Sequence, residues 1–140
     1  MRFWDTSALV PLVTRESATP TVQGLLGHDR SVVAWWATRV EITSALARAL
    51  RRGTITQADL VKTLHRVRRL LASATIVEPT TTLQDRADRL LLAHELRAAD
   101  AFQLAAALII VQDRPQGFGF VTLDRRLCDA AGREGFTVYP

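Results

Sequence analysis

The sequence predicts a three-layer α/β/α fold around a central, mainly parallel sheet. Three observations predict it. Short apolar segments alternate with longer segments of helical periodicity. The alternation runs through residues 1–140 with no linker, repeat or low-complexity stretch to divide it. The short segments are apolar throughout, as strands covered on both faces are. The chain therefore reads as one domain, 1–140, long enough for one sizeable core.

The elements follow in order. Arg2 to Asp5 reads as a strand, Thr6 to Val13 as a helix, and a second helical stretch runs to about Gly27. Ser31 to Ala34 is a strand. Thr38 to Arg52 is a helix by the spacing of Ile42, Leu46 and Leu50, and Gly53 stops it. Thr56 with Asp59 three residues on resembles a capping box, and the helix it opens carries an apolar stripe of Leu60, Leu64, Val67 and Leu71. Thr75 to Glu78 is a strand ended by Pro79. Thr82 is expected to cap a helix to His94, with Asp85 at the third position. Ala99 to Gln112 is the most apolar helix and is expected to be central. Phe118 to Leu123 is a strand, Arg125 to Ala131 a helix and Phe136 to Tyr139 the last strand.

Composition narrows the function classes. With 48% apolar and 23% charged residues the chain has the balance of a soluble globular protein. The longest apolar run, Leu104 to Val111, is too short to span a bilayer, so no membrane partner is expected. Asp5 and Thr6 interrupt the start before a leader could build, and Cys128 is the lone cysteine. Both features fit a cytoplasmic, reducing location. The net charge is +4, with Lys62 the only lysine. An arginine excess permits a nucleic-acid partner, since the guanidinium fork suits phosphate, but a compositional bias gives the same charge.

Four acids carry the chemistry. Asp5, Glu41, Asp100 and Asp124 each lie in a mostly apolar run: Phe3-Trp4-Asp5, Val40-Glu41-Ile42, Ala99-Asp100-Ala101-Phe102 and Val121-Thr122-Leu123-Asp124. Singly, each has a plain explanation. Asp5, Asp100 and Asp124 stand where helices begin, Asp100 with Gln103 resembles a capping pair, and Glu41 fits a first helical turn. Together they suggest one shared partner. A parallel sheet gathers ligands at the carboxyl ends of its strands, and that topology sets Asp5 and Asp124 on one rim if both strands are central. Two carboxylates about 5 Å apart repel by roughly 3 kcal/mol at an effective dielectric near 20, so a cluster raises its own pKa values or takes up a cation. Oxygen ligands favour Mg²⁺ or Mn²⁺, and no His or Cys has zinc-ligand spacing. Such a site suits phosphodiester hydrolysis by a metal-activated water. Thr6, Ser7 and Thr122 supply hydroxyls that could orient a water or a carboxylate, or simply form caps and turns.

These segments resemble the motifs of PIN-domain nucleases. Asp5-Thr6-Ser7-Ala8-Leu9 is similar to the family's opening motif, and Glu41-Ile42-x-x-Ala45-Leu46 to its helical glutamate motif. Arg97 to Ala107 is similar to the central aspartate helix, and Phe120 to Leu127 to the final acidic motif. The four occur in the family's order across nearly the whole chain, and the size looks like that of VapC toxins from toxin–antitoxin pairs. The resemblance implies a PIN-like fold and a Mg²⁺- or Mn²⁺-dependent endoribonuclease acting on an RNA substrate. It implies that Asp5, Glu41, Asp100 and Asp124 bind metal, with Thr122 assisting. It also implies a homodimer, and neutralisation by a small VapB-type antitoxin whose C-terminal segment enters the groove. Trp4 departs from the aliphatic residue expected before the first Asp; strand alternation should turn it away from the site.

Other features have two readings. Trp35 and Trp36 are an interface anchor, or core with one ring in and one out. Lys62, Arg66 and Arg69 contact RNA phosphates, or form a solvated helix face. His28, His65 and His94 are assigned no chemistry, Cys128 is read as a small packed hydrophobe, and Asp129 and Glu78 as spare acids. Three rival functions fit the residues less well. A receiver-like phosphoacceptor needs adjacent acids after the first strand and a late lysine, and the chain has neither. A flap-type DNA nuclease needs extra helices for which there is little room. A catalytically inactive PIN-fold binding partner would be expected to have lost some of the acids, and all four are present.

Overall fold

The computed structural model describes residues 1–140. Its strands are β1 (Arg2–Trp4), β2 (Val32–Trp35), β3 (Thr75–Val77), β4 (Gly119–Val121) and β5 (Thr137–Tyr139). They form one parallel sheet in the order β3-β2-β1-β4-β5. The helices are α1 (Thr6–Val13), α2 (Thr19–His28), α3 (Thr38–Arg51), α4 (Gln57–Ala72), α5 (Thr81–Ala93), α6 (Ala98–Ile110) and α7 (Arg125–Arg133). The fold is thus the expected three-layer α/β/α sandwich.

Strand alternation divides the core in two. Phe3, Val33, Trp35, Val77 and Phe120 face α5, α6 and α7, while Trp4, Val32, Ala34 and Val121 face α1 to α4. Trp4 is fully buried in the second cluster, turned from the site as expected. Helix α6 is as central as its composition predicts: Ala101 and Leu104 to Leu108 are all buried.

The strand order creates the crevice. The chain builds β1, β2 and β3 outward on one side, then crosses to lay β4 and β5 on the other. Connections leave β1 and β4 in opposite directions, so a gap opens beyond their carboxyl ends. Asp5 follows β1 directly and Asp124 lies three residues past β4, which makes both strands central or next to it, as the rim argument required.

Several local expectations hold. Gly53, at φ 72°, ends α3 in the left-handed region, with amide bonds from Gly53 to Leu50 and from Thr54 to Ala49. Thr56 and Asp59 form the capping box of α4. One cap moves. The N-cap of α5 is Thr80, whose hydroxyl accepts from the Leu83 amide; Thr82 and Asp85 lie inside the helix and are exposed. Pro79 explains the shift, because it pushes Glu78 into extended backbone and the helix can begin as soon as a hydroxyl follows. The strands are also shorter than their apolar runs. Phe118 and Thr122 flank β4, and Thr122 instead donates its amide to the Tyr139 carbonyl. At Gly119 a Cβ would come within 2.7 Å of the Arg2 side chain, whose guanidinium lies 4.6 Å above the Tyr139 ring.

Candidate active site

The four acids line one open cleft of about 650 Å³, together with Thr6, Ser7, Val10, Glu16, Val40, Ser44, Ala45 and Arg48. Each reaches it from the amino-terminal end of a helix. Asp5 and Asp124 are N-caps of α1 and α7, accepting from the amides of Ser7 and Leu127. Glu41 sits in the first turn of α3. Asp100 is the third residue of α6 and accepts from the Arg97 amide at 3.4 Å. The cap reading and the site reading are therefore both right for Asp5 and Asp124. For Asp100 the partner differs from expectation: it caps back onto Arg97, and Gln103 is no part of the pair.

Asp5 is 4% exposed. Its Oδ2 accepts from the Ser7 amide at 3.1 Å, from the Thr122 hydroxyl at 3.0 Å and from the Ser7 hydroxyl. Burial pushes its carboxyl from 3.8 up to about 6; the Ser7 and Thr122 hydrogen bonds pull against this, and nearby Glu41 adds to it. Thr122 is the hub on this side. It donates to Asp5 and accepts the Asp124 amide at 3.0 Å, so one hydroxyl joins the ends of β1 and β4. The Ser7 hydroxyl accepts the Leu123 amide at 2.9 Å. Burial likewise raises the Asp100 carboxyl; the Arg97 amide opposes that, and the charge of Asp124 reinforces it.

On the other side, Glu41 Oε2 accepts from the Thr6 hydroxyl at 2.6 Å and from Gln103 Nε2 at 2.9 Å. Gln103 is 1% exposed. The sequence reading missed its role, although a glutamine inside Ala101-Phe102-Gln103-Leu104 was a visible signal: a buried polar residue is more informative than the apolar ones around it.

One regularity runs through the site. Each acid ties a single oxygen to protein donors and leaves its other oxygen without a protein hydrogen bond. The tied oxygens are Asp5 Oδ2, Glu41 Oε2, Asp100 Oδ2 and Asp124 Oδ1. No three acids gather closely enough to hold a metal ion between them. Anchored at four separate helix ends, they ring the cleft, with the charge of Glu41 felt at Asp5 and that of Asp124 at Asp100. That spread still fits a hard cation. Mg²⁺ is commonly held by one or two carboxylates, its remaining positions filled by water and substrate phosphate.

Trp35 is buried at 5% and stacks on Phe102 at 5.7 Å, while Trp36 is 55% exposed, so one ring is in and one out. Both line a second cavity of about 650 Å³ that shares Glu41 with the acid cleft. Lys62, Arg66 and Arg69 are exposed on α4 and line no part of the acid cleft, nor do Glu78 and Asp129. Cys128 is half-buried on α7. His94 pairs with Glu134 at 2.7 Å, away from the cleft.

A doubly wound sheet that displays four anchored carboxylates at its switch point is laid out as an α/β enzyme of the nuclease kind. The family model described as PIN domain matches residues 2–133, and the chain belongs to that family. It is 31% identical over 138 residues to Ribonuclease VapC45 and, equally, to Ribonuclease VapC49, both of Mycobacterium tuberculosis, covering 99% of this chain and 94% of each relative. Among solved structures, Mycobacterium tuberculosis VapC20, described as a sarcin-ricin loop cleaving toxin, superposes with a TM-score of 0.68 at 18% identity, over 98% of this chain and 97% of that one. A toxin–antitoxin complex from Klebsiella pneumoniae gives 0.69 at 16% identity, over 100% and 97%. At these identities the two structures speak for the fold.

Proposed function

We propose that this chain is a VapC-type toxin, an endoribonuclease that hydrolyses RNA phosphodiester bonds with Mg²⁺ or Mn²⁺ and is held inactive by a cognate antitoxin. The observation that carries the reading is the half-committed state of each carboxylate. A lone cap is also tied by one oxygen; what sets these four apart is that a single cleft gathers all of them. Here Asp5, Glu41, Asp100 and Asp124 are each fixed by one oxygen, keep the other without a protein partner, and line the same cleft.

Asp5 and Glu41 are the acids proposed to hold the cation most directly, with Asp100 and Asp124 completing its surroundings. A divalent ion bound there would lower the pKa of a bound water and neutralise charge on the phosphate. The chain's own parts do the rest. Thr122 and Ser7 fix the orientation of Asp5, and Thr6 that of Glu41. Arg48, steadied by the Ser44 hydroxyl at 2.9 Å, is the one cation among the cleft's lining residues and would meet an incoming phosphate. Val40 and Trp36, 62% and 55% exposed beside the acids, are the apolar surface on which an antitoxin segment or a second protomer would seat.

Incubation of purified protein with structured RNAs, in Mg²⁺, in Mn²⁺ and in EDTA, tests the proposal. Cleavage should require the ion and should be lost in Asp5→Asn. Cleavage that persists in EDTA would sink the mechanism. A short adjoining reading frame encoding a DNA-binding protein, co-purifying with this chain when both are expressed, is the expected sign of the antitoxin.

A further inference from the structure

Gln103 is a buried amide with an uneven set of bonds. Its Nε2 donates to Glu41 Oε2 at 2.9 Å and to Thr6 Oγ1 at 2.9 Å, with Thr38 Oγ1 further off at 3.4 Å. The Thr6 hydroxyl, accepting from Gln103, donates in turn to the same Glu41 oxygen at 2.6 Å. The three side chains close a triangle that joins α1, α3 and α6 beneath the acid cleft. Its direction is fixed by chemistry: turning the amide over would set Oε1 against a carboxylate oxygen. Yet Gln103 Oε1 is buried without a partner. An orphaned buried acceptor destabilises the fold, and an apolar side chain of similar length would avoid that cost. A residue that weakens the core while donating to a cleft acid is held there for the donor.

We infer that Gln103 is a positioning residue: with Thr6 it pins Glu41 by one oxygen so that the other is presented to the cleft. The inference rests on the reading of the cleft as a cation site. Partners that orient metal-binding side chains commonly contribute 10- to 100-fold in affinity (order of magnitude, roughly). Locating the donor on α6 also ties the position of Glu41 to the helix that carries Asp100, so one rigid element sets the spacing of two acids.

The test is Mn²⁺ binding to the full chain without RNA, followed by calorimetric titration, beside thermal melting in EDTA. Gln103→Met should raise the Mn²⁺ dissociation constant roughly 10- to 100-fold. Its melting temperature should stay near the parent's, because the loss of the orphaned acceptor offsets the lost donations to Glu41 and Thr6. In RNA cleavage kcat should fall with KM unchanged. Thr6→Val should weaken binding too, and the double variant should lose less than the product of the two losses, because both act through one oxygen. Leu108→Ala, on the same helix but buried in the core, should melt lower and bind Mn²⁺ as the parent does. Parent-like Mn²⁺ affinity in Gln103→Met would overturn the inference, as would an equal loss of affinity in Leu108→Ala. If the unaltered chain binds no Mn²⁺, the cation reading fails and takes this inference with it, whereas parent binding with an indifferent Gln103→Met removes this inference alone.

Discussion

Replacing Asp5 by asparagine separates stability from activity with a sign that can be worked out in advance. The folded chain holds this carboxyl at about 6, against 3.8 for the free group, chiefly because burial disfavours the charge. A carboxyl raised on folding contributes its stability below about 3.8 and loses it as pH climbs to about 6. At 1.36 kcal/mol per pH unit, the ionised group costs the fold about 3 kcal/mol at neutral pH. Asparagine has nearly the same shape and keeps an oxygen for the Ser7 and Thr122 donors, without a charge to desolvate. Asp5→Asn should therefore be more stable than the parent at pH 7.5 in EDTA by up to about 3 kcal/mol, roughly 10 °C in melting temperature. At pH 4 the gain should nearly vanish, since the parent is then neutral too. Ribonuclease activity should drop by ~10²-fold or more, as the charge that attracts the ion is gone. Urea unfolding at both pH values measures the effect. A variant no more stable at pH 7.5, or stabilised equally at both, would refute the reasoning.

Other consequences are as direct. Thr122→Val removes the hydroxyl that donates to Asp5 and accepts the Asp124 amide; it should cost about 1–3 kcal/mol by urea unfolding and depress cleavage strongly. Arg48→Ala should leave stability within about 0.5 kcal/mol, raise KM for RNA, and reduce the salt dependence of binding by about one phosphate contact. Leu90→Ala, at a fully buried position of α5, should cost about 2–5 kcal/mol, while Leu92→Ser, two residues on and 92% exposed, should cost less than about 0.5 kcal/mol; equal losses would contradict the assigned faces of that helix.

The exposed apolar residues bear on how such an enzyme is controlled. Trp36 and Val40 stand beside the acid cleft, and the cavity lined by Trp35, Trp36 and Phe102 opens onto Glu41. A partner seated there would meet Glu41 at the edge of the acid cleft. No helix is long and apolar enough to cross a membrane.

Much of this protein is written in local pattern. The strand–helix alternation, the apolar strands and the four acids at element ends could be read one segment at a time, because period 2 and period 3.6 decide which face each residue turns. That reading placed Asp5 and Asp124 on one rim, and offered one tryptophan ring in and one out, without saying which, as one of two choices. It failed where a neighbouring residue changed the local rule, as Pro79 did for the α5 cap. It failed more deeply at Gln103, and for Thr122 it offered a hydroxyl near the acids without saying which carboxylate it meets. Gln103 meets Thr6 and Glu41 across 97 and 62 residues, and Thr122 meets Asp5 across 117. No periodicity encodes such contacts. They exist because the sheet order brings β1 beside β4 and sets the first turns of α1, α3 and α6 around one crevice. The sequence by itself determined which acids stand at strand and helix ends. Only the tertiary structure decided which oxygen of each is tied and which is left without a partner, because for Asp5 and Glu41 the orienting donors come from other elements.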